Sequence, residues 1–322
     1  PMYNKDKSVV VAQNGEIYNY MELRNELRGK GYRFKSTADT EVIVYGYEEW
    51  GVEVFNKLRG MFAIAIYDLK KGKAFLARDR VGIKPLYYLA RNKELYFSSE
   101  VKSFSKIKGF NLTSEVDTEM VQILLGFMFL PESDSTIVKG VKKVKPGHYL
   151  SVNTSSGTFA SKKYWELPVV KDSAPLKFED AVEELDDLLL KTVESHLLSD
   201  VPLGVLLSGG LDSSLITAYV KKISKGEVKT FNAKFDHKFN ESENAKAVAS
   251  DLGTEHNEIF IDTSTVMRDI EKFAPDLDDL TTFDGGTLTT KILCKKLKDQ
   301  GITVVLLGEG ADEIFGGYSW FG

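Results

Sequence analysis

The sequence predicts two folded parts of different class, an antiparallel α+β part followed by a doubly wound α/β part. Up to about Glu166, strand-sized apolar runs are joined by short polar turns, a pattern typical of antiparallel sheets. Beyond residue 176, helices and strands alternate, which is typical of a parallel sheet covered on both faces. A polar break containing a proline lies between them at 171–175. We therefore expect domains over residues 1–168 and 176–322.

Three hairpins and two helices make up the first part. Each hairpin pairs two apolar runs across a polar turn, and the runs are 62–67 with 74–77, 86–88 with 95–97, and a pair flanking 153–157. Helical patterns cover 20–29 and 40–50, and Asp39 is suited to cap the second helix. We expect stacked antiparallel sheet layers here.

The second part alternates helices with continuous apolar strands. The predicted helices cover residues 178–199, 211–223, 241–252, 264–274 and 286–300. The predicted strands cover residues 203–207, 228–235, 256–261 and 302–307. Strands this apolar are buried on both faces in a parallel sheet. Cys294 falls in the last helix, where we expect a small buried side chain.

Composition excludes several classes of protein and of partner. With 322 residues and 43% hydrophobic content, the chain is not disordered. A net charge of −5 predicts no nucleic-acid or membrane partner. No apolar run is long enough to span a bilayer, and a single cysteine cannot form an internal disulfide, so we expect a cytoplasmic protein. Because the sequence opens at Pro1 and stops at Gly322 within a predicted helix start, we expect a fragment truncated at both ends.

An anion-binding loop is predicted after the strand that ends near Leu207. Residues 208–214 read Ser-Gly-Gly-Leu-Asp-Ser-Ser. The glycines let backbone N–H groups approach a ligand, and the following helix adds unpaired donors and the positive end of its dipole. Asp212 fits an anion site only if a cation such as Mg²⁺ lies between it and the phosphates. The alternative interpretation is a plain turn in which Asp212 or Ser213 caps the helix.

A glycine-rich acidic loop follows the last predicted strand. Residues 308–318 read Gly-Glu-Gly-Ala-Asp-Glu-Ile-Phe-Gly-Gly-Tyr. Ligands of open parallel sheets lie beyond the carboxyl ends of the strands, so this loop and the loop at Ser208 can face one site. Its three carboxylates suggest metal binding and proton transfer, and a solvated loop with capping acids is the alternative.

Both loops resemble known signatures. Residues 208–213 resemble the pyrophosphate-binding loop of the ATP pyrophosphatase (PP-loop) family, and residues 308–318 resemble the second signature of glutamine-hydrolysing asparagine synthetases and the related β-lactam synthetases. The resemblance implies an adenine nucleotide α-hydrolase-like domain that uses ATP and Mg²⁺. It makes Glu309 the catalytic glutamate and places Asp212 and Asp312 on the metal. The implied ATP-binding residues are Leu206, Ser208, Gly209, Gly210, Asp212, Ser213, Ala233, Leu307 and Gly308.

Two polar motifs follow apolar runs of the first part. Residues 14–19 read Asn-Gly-Glu-Ile-Tyr-Asn, and residues 78–80 read Arg-Asp-Arg. Taken singly, Asn-Gly indicates a turn and Arg-Asp-Arg a surface charge cluster. Together they resemble the class II glutamine amidotransferase domain, an α-β-β-α member of the N-terminal nucleophile family. The resemblance implies that Asn14 and Gly15 are catalytic as an oxyanion hole and that, with Glu16 and Asp39, they bind glutamine.

The resemblance covers nearly the whole chain and implies a carbon–nitrogen ligase. Such an enzyme would amidate aspartate through β-aspartyl-AMP, using ATP and ammonia from glutamine and releasing AMP and pyrophosphate; a homodimer is left open. The family's nucleophile is an amino-terminal cysteine, absent from this sequence, so we expect the glutaminase half to be inactive in the fragment. Residues 278–287 depart from the usual Asp-Glu-Pro run, so an enzyme acting on another carboxylic acid is a second hypothesis. An inert regulatory or binding homologue is the third.

Overall fold

The computed structural model describes residues 1–169, 177–198, 201–235, 241–273, 275, 277–278 and 286–319. The chain divides into two compact units, Pro1–Lys171 with Asp278–Thr282, and Asp172–Leu277 with Phe283–Gly322. Within the described ranges, every helix is too short or too polar to cross a lipid bilayer.

The first unit is built mainly from antiparallel strands. Its strands β1 to β9 are Met2–Tyr3, Val9–Ile17, Gly60–Asp68, Lys73–Arg78, Tyr87–Arg91, Glu94–Ser98, Val141–Lys143, His148–Asn153 and Phe159–Lys163. Its helices α1 to α4 are Tyr20–Gly29, Thr40–Trp50, Val54–Lys57 and Thr118–Phe127, with 3₁₀ turns at Gly51–Glu53 and Val101–Lys106. The strands form a six-stranded sheet, β1-β2-β3-β4-β8-β9, and a three-stranded sheet, β6-β5-β7. The predicted antiparallel class, hairpins and two helices are confirmed.

The two sheets are stacked between helical layers. Because alternate residues of a strand point to opposite faces, the six-stranded sheet presents two apolar faces. One face packs against α1 and α2 in a core that contains Phe62 and Ile43. The other face packs on the three-stranded sheet through Leu76 and Leu86. The far side of the three-stranded sheet is covered by the second 3₁₀ turn, whose Phe104 is buried there.

Glycines allow β2 and β3 to approach closely near their ends. Gly15 has a φ of +139°, and a Cβ on it would lie 1.9 Å from the carbonyl oxygen of Met61. On the facing strand, a Cβ on Gly60 would lie 2.1 Å from the carbonyl oxygen of Glu16. A side chain at either position would push the strands apart. The interpretation of Asn14-Gly15 as a turn is therefore wrong, because both residues lie inside β2.

Two carboxylates of the first unit differ from their sequence-based interpretation. Asp39 precedes α2 but does not cap it, because its Oδ2 accepts hydrogen bonds from the Ile17 N–H and from Gln13 Nε2, each at 2.9 Å. Asp79 is fully buried rather than part of a surface cluster. Its oxygens accept backbone N–H hydrogen bonds from Phe62, Gly82, Ile83 and Lys84. Asp79 thus shapes the loop that follows β4.

The second unit is a parallel sheet flanked by helices. Its strands β10 to β13 are Leu203–Leu206, Lys229–Phe235, Glu255–Ile261 and Val304–Leu306. Its helices α5 to α10 are Phe178–His196, Leu211–Ile223, Ser242–Leu252, Thr263–Phe273, Gly286–Asp299 and Ala311–Phe315. All strand pairs are parallel, in the order β12-β11-β10-β13. The predicted doubly wound class is confirmed, although the last strand is shorter than the predicted 302–307.

Helices cover both faces of the parallel sheet. Phe231 and Ile259 pack against α8 and α9 on one face, while Val205 packs against α5 and α6 on the other. The buried side of α9 carries Leu288, Ile292, Leu293 and Leu297. Cys294 lies outside this buried side and is exposed, so the prediction that it is buried is wrong.

Candidate active sites

The chain order of the parallel strands leaves a crevice beside β10. The chain leaves β10 to form β11 on one side, whereas β13 pairs with β10 on the other side. Such a reversal opens a crevice beyond the carboxyl ends of the two strands. A cavity of about 360 Å³ lies there, and we name it the switch-point cavity. Its volume is within the usual range for small-molecule pockets.

The switch-point cavity brings together most of the residues predicted for nucleotide, metal and catalysis. The predicted residues that line it are Leu206, Ser208, Gly210, Asp212, Ser213, Ala233, Leu307, Gly308, Glu309 and Asp312. Gly209 is not among them, since its Cα faces the backbone of α7, where an added Cβ would lie 2.6 Å from the Ala245 nitrogen. Lining residues that were not predicted are Leu207, Phe231, Asn232, Phe235, Glu241, Leu293, Gly310 and Tyr318. Of these, Gly310 and Tyr318 belong to the predicted acidic loop, and Asn232 stands out as a polar residue within an apolar strand.

The phosphate loop, residues 208–213, joins β10 to α6. Gly210 is the residue before α6, and no side chain caps the helix. The interpretation of Asp212 or Ser213 as the cap is therefore wrong. The Ser208 and Ser213 hydroxyls instead contact each other at 3.0 Å across the loop, and the Gly210 N–H donates to Ser208 Oγ at 3.3 Å. The N–H groups of the first turn of a helix have no partner inside the helix, so this end of α6 can donate to an anion.

The loop after β13 lies directly on the first turn of α6. A Cβ on Gly308 would lie 2.9 Å from Asp212 Cβ and 3.0 Å from the Ser213 nitrogen. Contact this close requires a glycine at position 308. Gly310, with a φ of +93°, then turns the chain into the short helix α10. These glycines hold the acidic loop against the phosphate loop.

Four carboxylates line the switch-point cavity, and three of them, Asp212, Glu309 and Asp312, belong to the phosphate loop and the acidic loop. In the part of the chain that the structure describes, none of the three accepts a hydrogen bond or forms an ion pair. Glu313, the third predicted carboxylate of the acidic loop, instead accepts a hydrogen bond from the Tyr318 hydroxyl at 2.7 Å. This bond, with the charges of Glu313, Asp312 and Glu309, raises the pKa of Tyr318 to about 12.

The arrangement of these carboxylates suits a divalent cation that is shared with a ligand. Among the described residues, no three His, Cys, Asp or Glu side chains are grouped so that they could hold a metal alone. Mg²⁺ is usually bound by one or two carboxylates together with substrate phosphates and water. Asp212 and Asp312 lie beside an anion-binding loop and have no side-chain partner among the described residues, so they fit that requirement.

The first unit brings its four predicted glutamine-site residues to one end of β2. Asn14 and Glu16 are exposed on the same side of the strand, and Asn14 Nδ2 donates to Ser99 Oγ at 3.1 Å. Asp39 is joined to this end by its bond from the Ile17 N–H. Gln13 Nε2 donates both to Asp39 Oδ2 at 2.9 Å and to the Gly15 carbonyl at 3.1 Å. Gln13 was not predicted, because its contact with Asp39 is not local in sequence.

Two buried charged side chains hold the backbone of the segment that leads to Asp39. The Arg24 guanidinium is 4% exposed and donates to the carbonyls of Ser36 and Ala38 at 2.8 and 2.9 Å. The Glu41 carboxylate accepts hydrogen bonds from the N–H groups of Lys35 and Ser36, both at 2.8 Å. The position of Asp39 thus depends on two charged side chains that the sequence analysis did not single out.

Comparison with known proteins agrees with this arrangement. A family model described as a glutamine amidotransferase domain matches residues 1–165, and one described as asparagine synthase matches residues 184–322. The chain belongs to the family of glutamine-hydrolysing asparagine synthetases. The predicted family is confirmed.

Similar proteins of this family occur in bacteria and plants. The chain is 38% identical to asparagine synthetase 1 of Bacillus subtilis, over 99% of this chain and 49% of that protein. It is 34% identical to asparagine synthetase B of Escherichia coli, over 100% of this chain and 54% of that protein. It is also 34% identical to asparagine synthetase 2 of rice, Oryza sativa, over 100% of this chain and 50% of that protein. The chain thus spans about half the length of these curated relatives.

Proposed function

We propose that the protein makes asparagine from aspartate, ATP and glutamine. The observation that carries the proposal is the switch-point cavity. There an anion-binding loop and an apolar wall meet three loop carboxylates that have no hydrogen-bond or ion-pair partner among the described residues. The family of the chain supports the same reaction. An oxygen of the aspartate side chain attacks the α-phosphorus of ATP, and the bond to pyrophosphate breaks. Ammonia then attacks the carbonyl carbon of β-aspartyl-AMP, AMP leaves, and the new amide loses a proton.

The phosphate loop is proposed to hold the pyrophosphate half of ATP. The Ser208 and Ser213 hydroxyls are hydrogen-bonded to each other across the loop, and each would exchange its present bond for one to a phosphate oxygen. The N–H groups at the start of α6 add donors along the helix dipole. The residues proposed to contact the nucleoside line the cavity and are Leu206, Ala233, Leu307 and Gly308. Gly209 is proposed to shape the loop through its close contact with α7.

The acidic residues are proposed to divide into metal ligands and a catalytic group. Asp212 and Asp312 would hold Mg²⁺, which supplies positive charge beside the phosphates. Glu309 would orient the phosphates or take a proton from the attacking ammonia. Its carboxylate has no hydrogen-bond partner in the described part of the chain, so it is available for either role.

The first unit is proposed to release ammonia from glutamine. Asn14 and the backbone of Gly15 would stabilise the oxyanion of the tetrahedral intermediate, and Glu16 and Asp39 would bind the polar groups of glutamine. One oxygen of Asp39 is occupied by Ile17 and Gln13, and the other, which accepts a 3.5 Å hydrogen bond from Thr40 Oγ1, would bind the substrate. Domain limits of 1–168 and 176–322 stay a prediction.

The choice of acid is tested by pyrophosphate release from ATP with a panel of carboxylic acids and ammonium, using the full-length protein. We expect aspartate to stimulate release and AMP to be the other product. Release driven by another acid while aspartate is inert would support the second hypothesis. ATP binding without release for any acid would support an inert homologue.

The Glu309→Gln variant tests the catalytic role. Removal of a group that acts in the transition state lowers kcat more than it weakens ATP binding. We expect turnover to be lost with Mg²⁺-ATP affinity nearly retained. Equal losses in turnover and affinity would make Glu309 a binding residue.

A further inference from the structure

A buried amide joins three elements next to the phosphate loop. Asn232 lies on β11, lines the switch-point cavity and is 6% exposed. Its Nδ2 donates to the carbonyl of Leu207 at 3.1 Å, and its Oδ1 accepts from Ser242 Oγ at 2.9 Å. Ser242 is the first residue of α7 and is fully buried. One side chain therefore connects β11, the residue before the phosphate loop and the start of α7.

The bond to Leu207 fixes the direction in which the phosphate loop leaves the sheet. The Leu207 N–H donates to the Phe231 carbonyl at 2.8 Å, so both polar groups of Leu207 are bonded to β11 residues. The peptide that contains the Leu207 carbonyl also contains the N–H of Ser208. The Ser208 N–H donates to Ser213 Oγ at 3.3 Å, so rotation of this peptide would break a bond within the loop.

The start of α7 contacts the phosphate loop at a second place. Gly209 has a φ of +86°, and an added Cβ would lie 2.6 Å from the Asn244 carbonyl carbon and from the Ala245 nitrogen. The turn of α7 that begins with Ser242 is thus the surface on which the loop bends. The Asn232–Ser242 bond sets the distance between that surface and the strand.

We propose that Asn232 is a positioning residue that holds the phosphate loop in its anion-binding shape through Leu207 and Ser242. An apolar side chain at this position would leave the Leu207 carbonyl and the Ser242 hydroxyl without these bonds. The amide therefore links the strand to both segments that shape the loop. The inference rests on the proposed role of the cavity as the ATP site.

The test compares Asn232→Ala and Ser242→Ala with Thr230→Val in the full-length protein. Thr230 is a matched control because it lies on the same strand, is fully buried and is hydrogen-bonded, yet lies outside the cavity lining. Mg²⁺-ATP affinity by calorimetry, the melting temperature, and amide hydrogen exchange of residues 208–213 are measured for each variant. Ser242→Ala keeps the bond to Leu207 and provides a milder test if Asn232→Ala does not fold.

We expect both network variants to weaken Mg²⁺-ATP binding by at least about fivefold and to speed exchange in the phosphate loop. Thr230→Val should lower the melting temperature while changing the affinity by less than about twofold. Equal changes in affinity and loop exchange for Asn232→Ala and Thr230→Val, at equal loss of stability, would overturn the inference. A wild-type chain without affinity for Mg²⁺-ATP would instead contradict the proposed function, and loop exchange would still decide the role of Asn232.

Discussion

The close approach of β2 and β3 makes Gly15→Ala a severe change. The new Cβ would lie 1.9 Å from the Met61 carbonyl oxygen and 2.8 Å from Phe62 Cα, and both of these are backbone atoms that cannot rotate away. The strained φ costs about 1–3 kcal/mol and the displaced backbone about 1–3 kcal/mol more, so we expect a loss of roughly 2–6 kcal/mol in the free energy of unfolding.

Two alanine variants of the same unit separate backbone strain from collision. Gly109 has a φ of +75° with open space around it, so Gly109→Ala should cost only the strain of about 1–2 kcal/mol. Gly29 ends α1 and also has no neighbour in reach, so Gly29→Ala should stabilise the unit by about 0.4–1 kcal/mol.

Urea unfolding measures these differences. Trp320→Phe serves as the common background, which leaves the fluorescence of Trp50 and Trp165, both in the first unit, as the signal. The expected order of stability is Gly29→Ala, wild type, Gly109→Ala and then Gly15→Ala. If Gly15→Ala were no less stable than Gly109→Ala, β2 and β3 would not be in the described contact.

Three further changes have defined outcomes. Gly308→Ala should weaken Mg²⁺-ATP binding, measured by calorimetry, by about tenfold, because its Cβ would displace the acidic loop from α6. Gly226→Ala is the control, because an added Cβ there meets no neighbouring atom. Equal affinities of the two variants would refute the reasoning. Asp39→Asn should weaken glutamine binding by about 1.5–3 kcal/mol, the usual value of a hydrogen bond to a charged group, and an unchanged dissociation constant would contradict its role. Burial lowers the pKa of His256, so the unfolded chain binds the proton more tightly and the free energy of unfolding of the second unit should fall as pH drops below about 6.5. The slope from this group is at most about 1.4 kcal/mol per pH unit, and a His256→Gln variant with an unchanged slope would exclude it as the cause.

The periodic elements were predictable because their signal is local. The apolar faces of α1 and α2 and the continuous apolar strands β10 to β12 each appear within about ten residues of sequence. The phosphate loop was predictable for the same reason, since its glycines and serines occupy one short segment. The order β12-β11-β10-β13 has no comparable local signal, because it depends on which strands pair.

The errors concern side chains whose partners are distant in sequence. Asp39 is a residue type that often caps helices and it precedes α2. Its carboxylate instead accepts hydrogen bonds from the Ile17 N–H and from Gln13. Asp79 lies between two arginines in the sequence, which is typical of a surface charge cluster. It is nevertheless buried, and its carboxylate accepts hydrogen bonds from four backbone N–H groups. Phe231 and Leu293 could not be assigned to the cavity from the sequence. They line it together only because the folded chain places β11 beside α9.

The order of the parallel strands also sets the time at which the switch-point cavity can form during synthesis. β10 can pair with β11, and β11 with β12, as soon as each connecting helix has been made. The other edge of β10 waits for β13, where Val205 meets Leu306 after about 100 further residues. Closing a loop of this length costs more entropy than closing either of the shorter crossovers. The phosphate loop therefore leaves the ribosome about 100 residues before the acidic loop that it meets in the folded unit.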